Sequence, residues 1–183
     1  GFEGGVRTFE YDADGMVDSI TDMEGQPRTF VHNNRGLEAR RTGNDGGLII
    51  TDWHPEVAKP ITITEPERVI DLGYDNRYRL TTRIESERYG EGERVWTYSY
   101  HPDSGGVPGQ MATVDGPRTD VADVTSFAYD SQGNLGTVTN ALGHDTHLQG
   151  HDAHGRPHSV VDPNGITWTL AYDVRGRLES MTG

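Results

Sequence analysis

The chain has 183 residues, a net charge of −13 at neutral pH and no cysteine. The acidic balance disfavours nucleic acid and anionic membranes as partners, because both bind basic surfaces, and the lack of cysteine excludes disulfides and thiolate metal sites. Hydrophobic residues make up 32% of the chain, so any core is expected to be thin, and no apolar run approaches the ~18 residues of a membrane span.

An aromatic residue, or a histidine in its place, recurs along the chain in similar surroundings. In chain order these anchors are Tyr11, His32, Trp53, Tyr74, Tyr100, Tyr129, His151 and Tyr172. The first three intervals are 21 residues each, the next two stretch to 26 and 29, and the last two are 22 and 21. A regular period of this size predicts a stacked-repeat architecture, in which no single unit buries its apolar face alone.

The residues after the anchors predict turns. Asp usually comes next, as in Asp12, and a glycine stands four residues after five of the anchors: Gly15, Gly36, Gly133, Gly155 and Gly176. Asp hydrogen-bonds to the nearby backbone, and glycine supplies a positive φ. A second turn lies ten residues further on, as in Asp22 to Gly25. Two units carry Val57 and Tyr78 at the glycine position, so their turn geometry does not follow from the pattern.

Between the turns lie two short segments per unit. The one that leads into the anchor alternates, as in Trp96-Thr-Tyr98-Ser-Tyr100, which predicts a half-buried strand. The other carries apolar residues six and nine positions after the anchor, for example Val17 and Ile20. In a regular strand this odd spacing puts the two on opposite faces, so either a bulge intervenes or both faces are partly covered.

Strands and turns in this order predict an all-β fold, an antiparallel meander of roughly 16 short strands. The alternative is a β-solenoid, a parallel β-helix with coils of about 21 residues. The Asp/Asn-Gly turns at ten-residue spacing are typical of hairpins and favour the meander.

The unit Tyr11-Asp-Ala-Asp-Gly15, seen again in Tyr129-Asp-Ser-Gln-Gly133, resembles the YD repeat of the Rhs and YD-repeat family. The likeness extends over essentially the whole chain, and stretches such as Val161-Asp-Pro-Asn-Gly165 are similar to the bacterial Rhs type. The resemblance implies a curved sheet strip within a large hollow shell that encloses a C-terminal effector domain. It also implies a secreted or cell-surface bacterial protein, whose partners are the rest of its own shell and that effector.

We expect residues 1–183 to form a single repeat array from a longer protein, because Gly183 stops inside a repeat without an atypical capping unit. A strip of this kind has open edges through which it can self-associate. No catalytic triad, P-loop or dinucleotide-binding motif is visible. The repetition favours a scaffold over an enzyme, and we expect neither a catalytic residue nor a cofactor.

Two ligand hypotheses remain alongside this reading. Five histidines lie close together in sequence: His144, His147, His151, His154 and His158. Histidine is a common metal ligand, but a helix that would align these side chains is interrupted by Gly150, Gly155 and Pro157. The alternative is that His151 replaces an anchor tyrosine and the others face solvent. The second hypothesis is a glycan-binding or adhesion module, because exposed aromatic rings can stack on sugars; the competing interpretation places these rings in the thin core.

Overall fold

The computed structural model describes residues 6–43, 45–102 and 107–183. These residues form sixteen β-strands and no helix, so none of them belongs to a helix that could cross a membrane. The order of the strands in the sheet is their order in the chain, and the paired neighbours run antiparallel. The predicted antiparallel meander is therefore confirmed, and the β-solenoid is excluded.

The chain divides into two compact units, residues 1–95 and 96–183. The strands of the first unit are β1 (Thr8–Tyr11), β2 (Val17–Thr21), β3 (Pro27–His32), β4 (Glu38–Thr42), β5 (Leu48–Trp53), β6 (Pro60–Thr64), β7 (Arg68–Tyr74) and β8 (Leu80–Glu87). Strand β9 (Glu93–Tyr100) begins at the end of this unit and continues into the next.

The second unit holds the remaining strands: β10 (Met111–Asp115), β11 (Thr125–Tyr129), β12 (Leu135–Thr139), β13 (Asp145–Gln149), β14 (Ser159–Val161), β15 (Thr167–Tyr172) and β16 (Leu178–Thr182). Seven of the eight anchors are the last residue of a strand. His151 is the exception, because β13 ends at Gln149 and Gly150 follows with a φ of 67°.

A β-bulge accompanies each anchor that ends a strand. In the first repeat Glu10 pairs with Ser19 but Tyr11 pairs with Val17, so Asp18 has no partner opposite it. The same register shift occurs beside the other six: His32, Trp53, Tyr74, Tyr100, Tyr129 and Tyr172. The bulge explains the odd spacing of the apolar residues, because one extra residue brings positions six and nine onto one face.

The pairing register shows which side chains share a face. Residues directly opposite each other in an antiparallel pair point to the same side, so Ile20, which pairs with Phe9, lies on the side of Tyr11 and Val17. We call this side of each unit the anchor face. The opposite face carries polar pairs such as Ser99 with Thr113, whose hydroxyl oxygens are 2.6 Å apart.

The core is as thin as the composition predicts. Among the described residues the buried hydrophobic side chains are Ile70 and Leu170, which lie four and two residues before an anchor, and no side chain is completely enclosed. Glu85 is also buried and forms ion pairs with Arg68 and Arg83. Stability in such a sheet depends on many partly buried contacts between neighbouring strands rather than on one central cluster.

Candidate functional site: the row of repeat anchors

After six of the anchors the turn is built by one side chain. In the first repeat the Asp12 Oδ1 atom accepts hydrogen bonds from the backbone N–H groups of Asp14 (3.0 Å) and Met16 (2.8 Å). The N–H of Gly15 donates to the carbonyl oxygen of Asp12 (3.1 Å), and Gly15 has a φ of 79°. Equivalent side-chain bonds are made by Asn33, Asp75, Asp130, Asp152 and Asp173.

The glycines predicted to make these turns all have a positive φ in the structure: Gly15, Gly36, Gly133, Gly155 and Gly176. Their values lie between 72° and 87°, a region that most side chains avoid. The second turn of the unit has the same geometry, as at Gly25 and Gly165.

Three of the turns add an arginine that holds the second oxygen of the aspartate. These pairs are Asp75–Arg79, Asp152–Arg156 and Asp173–Arg177, and in each the arginine Nε donates to Oδ2 at 2.7 Å. The pKa of Asp152 lies well below its usual range, mainly because the Arg156 side chain donates to the carboxylate. At neutral pH these carboxylates are therefore charged and paired, and they act as fixed parts of the turn.

Three anchor side chains tie their repeat to the one before it. The Tyr74 hydroxyl donates to the carbonyl oxygen of Pro60 (2.8 Å), and Trp53 Nε1 donates to that of Glu38 (2.8 Å). The Tyr172 hydroxyl donates likewise to Pro157 (2.9 Å). Partial burial raises the pKa of Tyr74, so its hydroxyl stays protonated as a donor. In each case the acceptor lies six or seven residues after the preceding anchor, so the side chain joins its own strand to the neighbouring one.

A second contact runs in the opposite direction, from the side chain five residues after an anchor to the turn glycine of the next repeat. A Cβ at Gly36 would lie 2.4 Å from Met16 Cε, and one at Gly176 would lie 2.1 Å from Arg156 Nη1. Asn134 approaches Gly155 in the same way. These glycines are needed for the positive φ, and the flexible ends of neighbouring side chains lie close to them. The residue type varies between Met, Asn and Arg, so the sequence carried no signal of this contact.

The turn after Tyr74 departs from this scheme at its glycine position. Tyr78 occupies the glycine position with a φ of 60°, and among the described residues no other non-glycine has a positive φ. Its ring packs edge-on against His54 with centroids 5.2 Å apart, and its hydroxyl bonds to the Glu56 carboxylate. The Lys59 Nζ atom donates to the Tyr78 carbonyl oxygen. The irregular segment between Trp53 and β6 therefore compensates for the backbone strain at this tyrosine.

The structure does not gather the five histidines into a metal site. His147 Nδ1 contacts Thr137 Oγ1 (3.1 Å), and the His158 ring packs edge-on against Tyr172. His144 and His154 lie in turns, where their backbone N–H groups bond to Asn140 and Asp152. Across residues 6–43, 45–102 and 107–183, no three histidine, aspartate or glutamate side chains are placed to hold a metal ion.

The two histidine anchors occupy enclosed positions. The His151 side chain is only 7% exposed, and its Nδ1 lies 3.9 Å from Asp130 Oδ2. His32 Nδ1 is buried without a hydrogen-bond partner among the described residues. Neither ring shows a hydrogen bond to the preceding repeat like the one that the Tyr74 hydroxyl makes. At these two positions the contact between repeats therefore depends more on side-chain packing than on a hydrogen bond.

The tryptophans take part in the sheet. Trp53 uses its N–H for the bond to the Glu38 carbonyl oxygen, and Trp168 pairs with Val160 across β14 and β15. Trp53 also lies in a shallow depression on the anchor face of the first unit, together with Ile49 and Ile63 and with charged side chains at its rim. Trp53 and Trp168 are therefore engaged in contacts between neighbouring strands.

Comparison with known proteins gives one sequence match and several structural matches. Residues 151–183 match the family described as RHS Repeat, whereas no curated protein matches the chain in sequence. Among solved structures, the crystal structure of TcdB2-TccC3 without hypervariable C-terminal region is 13% identical, with a TM-score of 0.70 over 98% of this chain. TcdB2-TccC3-TEV is 18% identical, with a TM-score of 0.66 over 96%.

The Photorhabdus luminescens Tc holotoxin pore is also similar in structure, at 13% identity and a TM-score of 0.56 over 97% of this chain. This chain spans only about a tenth of the length of these neighbours, 10% to 12% of each. At such low identity the likeness concerns the fold. Together with the RHS-repeat match over residues 151–183 and the repeated turn unit, it supports the resemblance of the chain to the Rhs/YD-repeat family.

Proposed function

We propose that the chain is a non-catalytic wall segment of an Rhs-type shell that encloses or presents a separate C-terminal effector or toxin domain. In this proposal residues 1–183 are one repeat array within a longer, secreted or cell-surface bacterial protein. The partners of the array are the rest of its own shell and the effector.

The observation that carries this proposal is the two-way contact between successive repeats. An anchor such as Tyr74 reaches back to the preceding repeat, and a side chain such as Arg156 reaches forward to the next turn glycine. Because each contact recurs at three repeat boundaries with the same sequence spacing, the sheet can be extended by adding repeats without a new core. A wall made in this way gains area rather than thickness, which suits a container.

The structural neighbours support the same proposal. One of them is described as lacking a hypervariable C-terminal region, and another as TcdB2-TccC3-Cdc42. The name of the second protein includes a further component, Cdc42, beside TcdB2-TccC3. The thin core of this chain is also what a wall requires, and the depression beside Trp53 is shallow.

Protease protection in the full-length gene product tests the enclosure. We expect the effector domain to resist added protease while the repeats are folded, and to become cleavable when Tyr74 and Tyr172 are both replaced by alanine. Cleavage of the effector in the unmodified protein at the rate of the isolated domain would contradict enclosure. The matched control replaces Tyr89, which is 81% exposed, because this substitution removes a tyrosine without opening a repeat contact.

A further inference from the structure

Two tyrosine anchors rest on the same kind of dipeptide in the preceding repeat. Lys59-Pro60 lies before Tyr74 and Arg156-Pro157 lies before Tyr172, and the sequence has no third Lys-Pro or Arg-Pro dipeptide. In each case the tyrosine hydroxyl donates to the proline carbonyl oxygen, at 2.8 Å and 2.9 Å. The lysine nitrogen lies 5.4 Å from the centre of its tyrosine ring, and the guanidinium carbon of the arginine lies 5.0 Å from the other. Each tyrosine therefore has two partners side by side, a carbonyl for its hydroxyl and a cation for its ring.

Both cations are held in place by their own surroundings. Proline restricts the residue before it to an extended backbone, so the direction of the lysine or arginine side chain is limited from the start. Arg156 Nε also donates to Asp152 Oδ2 at 2.7 Å, and Lys59 Nζ donates to the Tyr78 carbonyl oxygen. The partners of the tyrosine are therefore fixed by contacts that do not involve the tyrosine itself.

The histidine anchors follow repeats with a neutral side chain at the corresponding position. Met16 lies five residues after an anchor in the repeat before His32, and Asn134 does so in the repeat before His151. Asn134 Nδ2 donates to Asp130 Oδ2 at 3.0 Å, and His151 Nδ1 lies 3.9 Å from the same oxygen. At Asp152 this oxygen is bonded by an arginine instead. Asparagine in place of arginine therefore leaves the Asp130 carboxylate beside the imidazole.

The other anchors show that the relation works in one direction. Trp53 follows Leu37 at this position, and Tyr129 follows Gln110, whose side-chain amide donates to the Gly133 carbonyl oxygen at 2.7 Å. A tyrosine thus accepts a neutral side chain before it, whereas neither histidine follows a cation.

A physical reason lies in the His151 ring. This side chain is 7% exposed and has no hydroxyl that could reach a carbonyl oxygen as tyrosine does. An arginine at the preceding position would compete with the imidazole for the Asp130 carboxylate and would repel the imidazolium form.

We propose that the side chain five or six residues after an anchor selects the anchor of the next repeat. Lysine or arginine at this position fits tyrosine and excludes histidine, whereas a neutral side chain accepts histidine. The pair thereby distinguishes repeats that are otherwise alike and disfavours docking of a repeat against the wrong neighbour, because specificity is a difference between two contact energies. Both members lie inside the array, so this selection does not depend on whether the array encloses an effector.

A double-mutant cycle at Asn134 and His151 tests the selection. The two single variants, Asn134→Arg and His151→Tyr, and the double variant are compared by thermal unfolding of residues 1–183, followed by far-UV circular dichroism. The introduced arginine can also bond to Asp130, but this contribution is present in both backgrounds and cancels in the cycle. We expect Asn134→Arg to raise the melting temperature by about 4–8 °C more in the His151→Tyr background, the scale of one cation–π contact in a unit of this size.

The control for side-chain size is Asn134→Met, because methionine already occurs at this position in Met16. It should show no coupling to His151→Tyr. Coupling as large as that of Asn134→Arg would mean that length rather than charge is recognised, and this result would overturn the proposal.

The reverse cycle replaces the existing cation and its tyrosine. Tyr172→His should lower the melting temperature less in the Arg156→Asn background than in the unmodified chain, again by about 4–8 °C. Arg156→Lys should keep the full effect, because Lys59 makes the same contact with Tyr74. Additive shifts at either boundary, within about 2–3 °C, would overturn the selection. If Tyr172→His keeps the second unit from folding, the first cycle still decides, because its variants introduce a tyrosine instead of removing one.

Discussion

The hydrogen bond from the Tyr74 anchor to the preceding repeat leads to a quantitative prediction. The Tyr74 ring is half-buried on the anchor face, and its hydroxyl donates to the Pro60 carbonyl oxygen at 2.8 Å. Full burial of an aromatic ring contributes up to about 3 kcal/mol, so a half-buried ring contributes about 1–2 kcal/mol, and the hydrogen bond adds about 1 kcal/mol. Tyr74→Ala should therefore lower the free energy of unfolding by about 2–3 kcal/mol, and Tyr74→Phe by about 1 kcal/mol.

Urea unfolding followed by circular dichroism measures both changes, and hydrogen exchange on peptides from β6 and β7 locates them. In a unit of this size about 1 kcal/mol corresponds to about 4–8 °C in melting temperature, so Tyr74→Ala should melt at least about 8 °C lower. Tyr89→Ala in the same unit is the control, and its effect should stay within about 0.5 kcal/mol. If Tyr74→Ala behaved like this control, the anchors would not be what joins the repeats.

Three further effects follow from the turns and the buried hydroxyls. Gly165→Ala should cost about 1 kcal/mol because its φ is 83°, although its surroundings are open, whereas Gly136→Ala, at an ordinary φ, should be nearly neutral in the same denaturation assay. Asp152→Asn should lower stability at pH 7, and the difference from the unmodified protein should shrink below about pH 4, because the stabilisation from a lowered carboxyl pKa disappears as pH falls through the folded-state value. Burial raises the pKa of Tyr129, so its stabilisation should be lost as pH rises above about 10, and Tyr129→Phe should soften this alkaline loss in a pH-dependent melting series.

The sequence period predicted the fold because the turns and strands of each unit are determined by residues close together in the chain. Asp12 and Gly15 define a turn by their own hydrogen bonds and φ, without help from distant residues. Alternation in the segment around Trp96 and Tyr98 follows from the pleat of a half-buried strand. Both signals survive in one sequence, so the meander and its number of strands could be predicted.

The contacts between repeats could not be predicted from the same signals. The bulge beside Tyr11 was open as one of two explanations, and only the pairing of Tyr11 with Val17 decides it. The anchor side chains of Tyr74 and Trp53 bond to backbone carbonyl oxygens of Pro60 and Glu38. Every residue has such an oxygen, so the residue types at positions 60 and 38 do not reveal these bonds. At Tyr78 the sequence shows only that a glycine is missing from the pattern. It does not show that the Tyr78 hydroxyl bonds to the Glu56 carboxylate.

A sheet with so little buried area must place its stability in the connections between neighbours. The bonds inside one turn, such as Asp152 with Arg156, fix the shape of a unit but hold no second unit. The ring of Tyr172 and the forward reach of Arg156 each cross a repeat boundary, one by a directed hydrogen bond and the other by contact with a glycine. Damage to one boundary should therefore loosen its two neighbours before it affects the rest. A sheet built on this principle can be long while each of its parts remains locally stable.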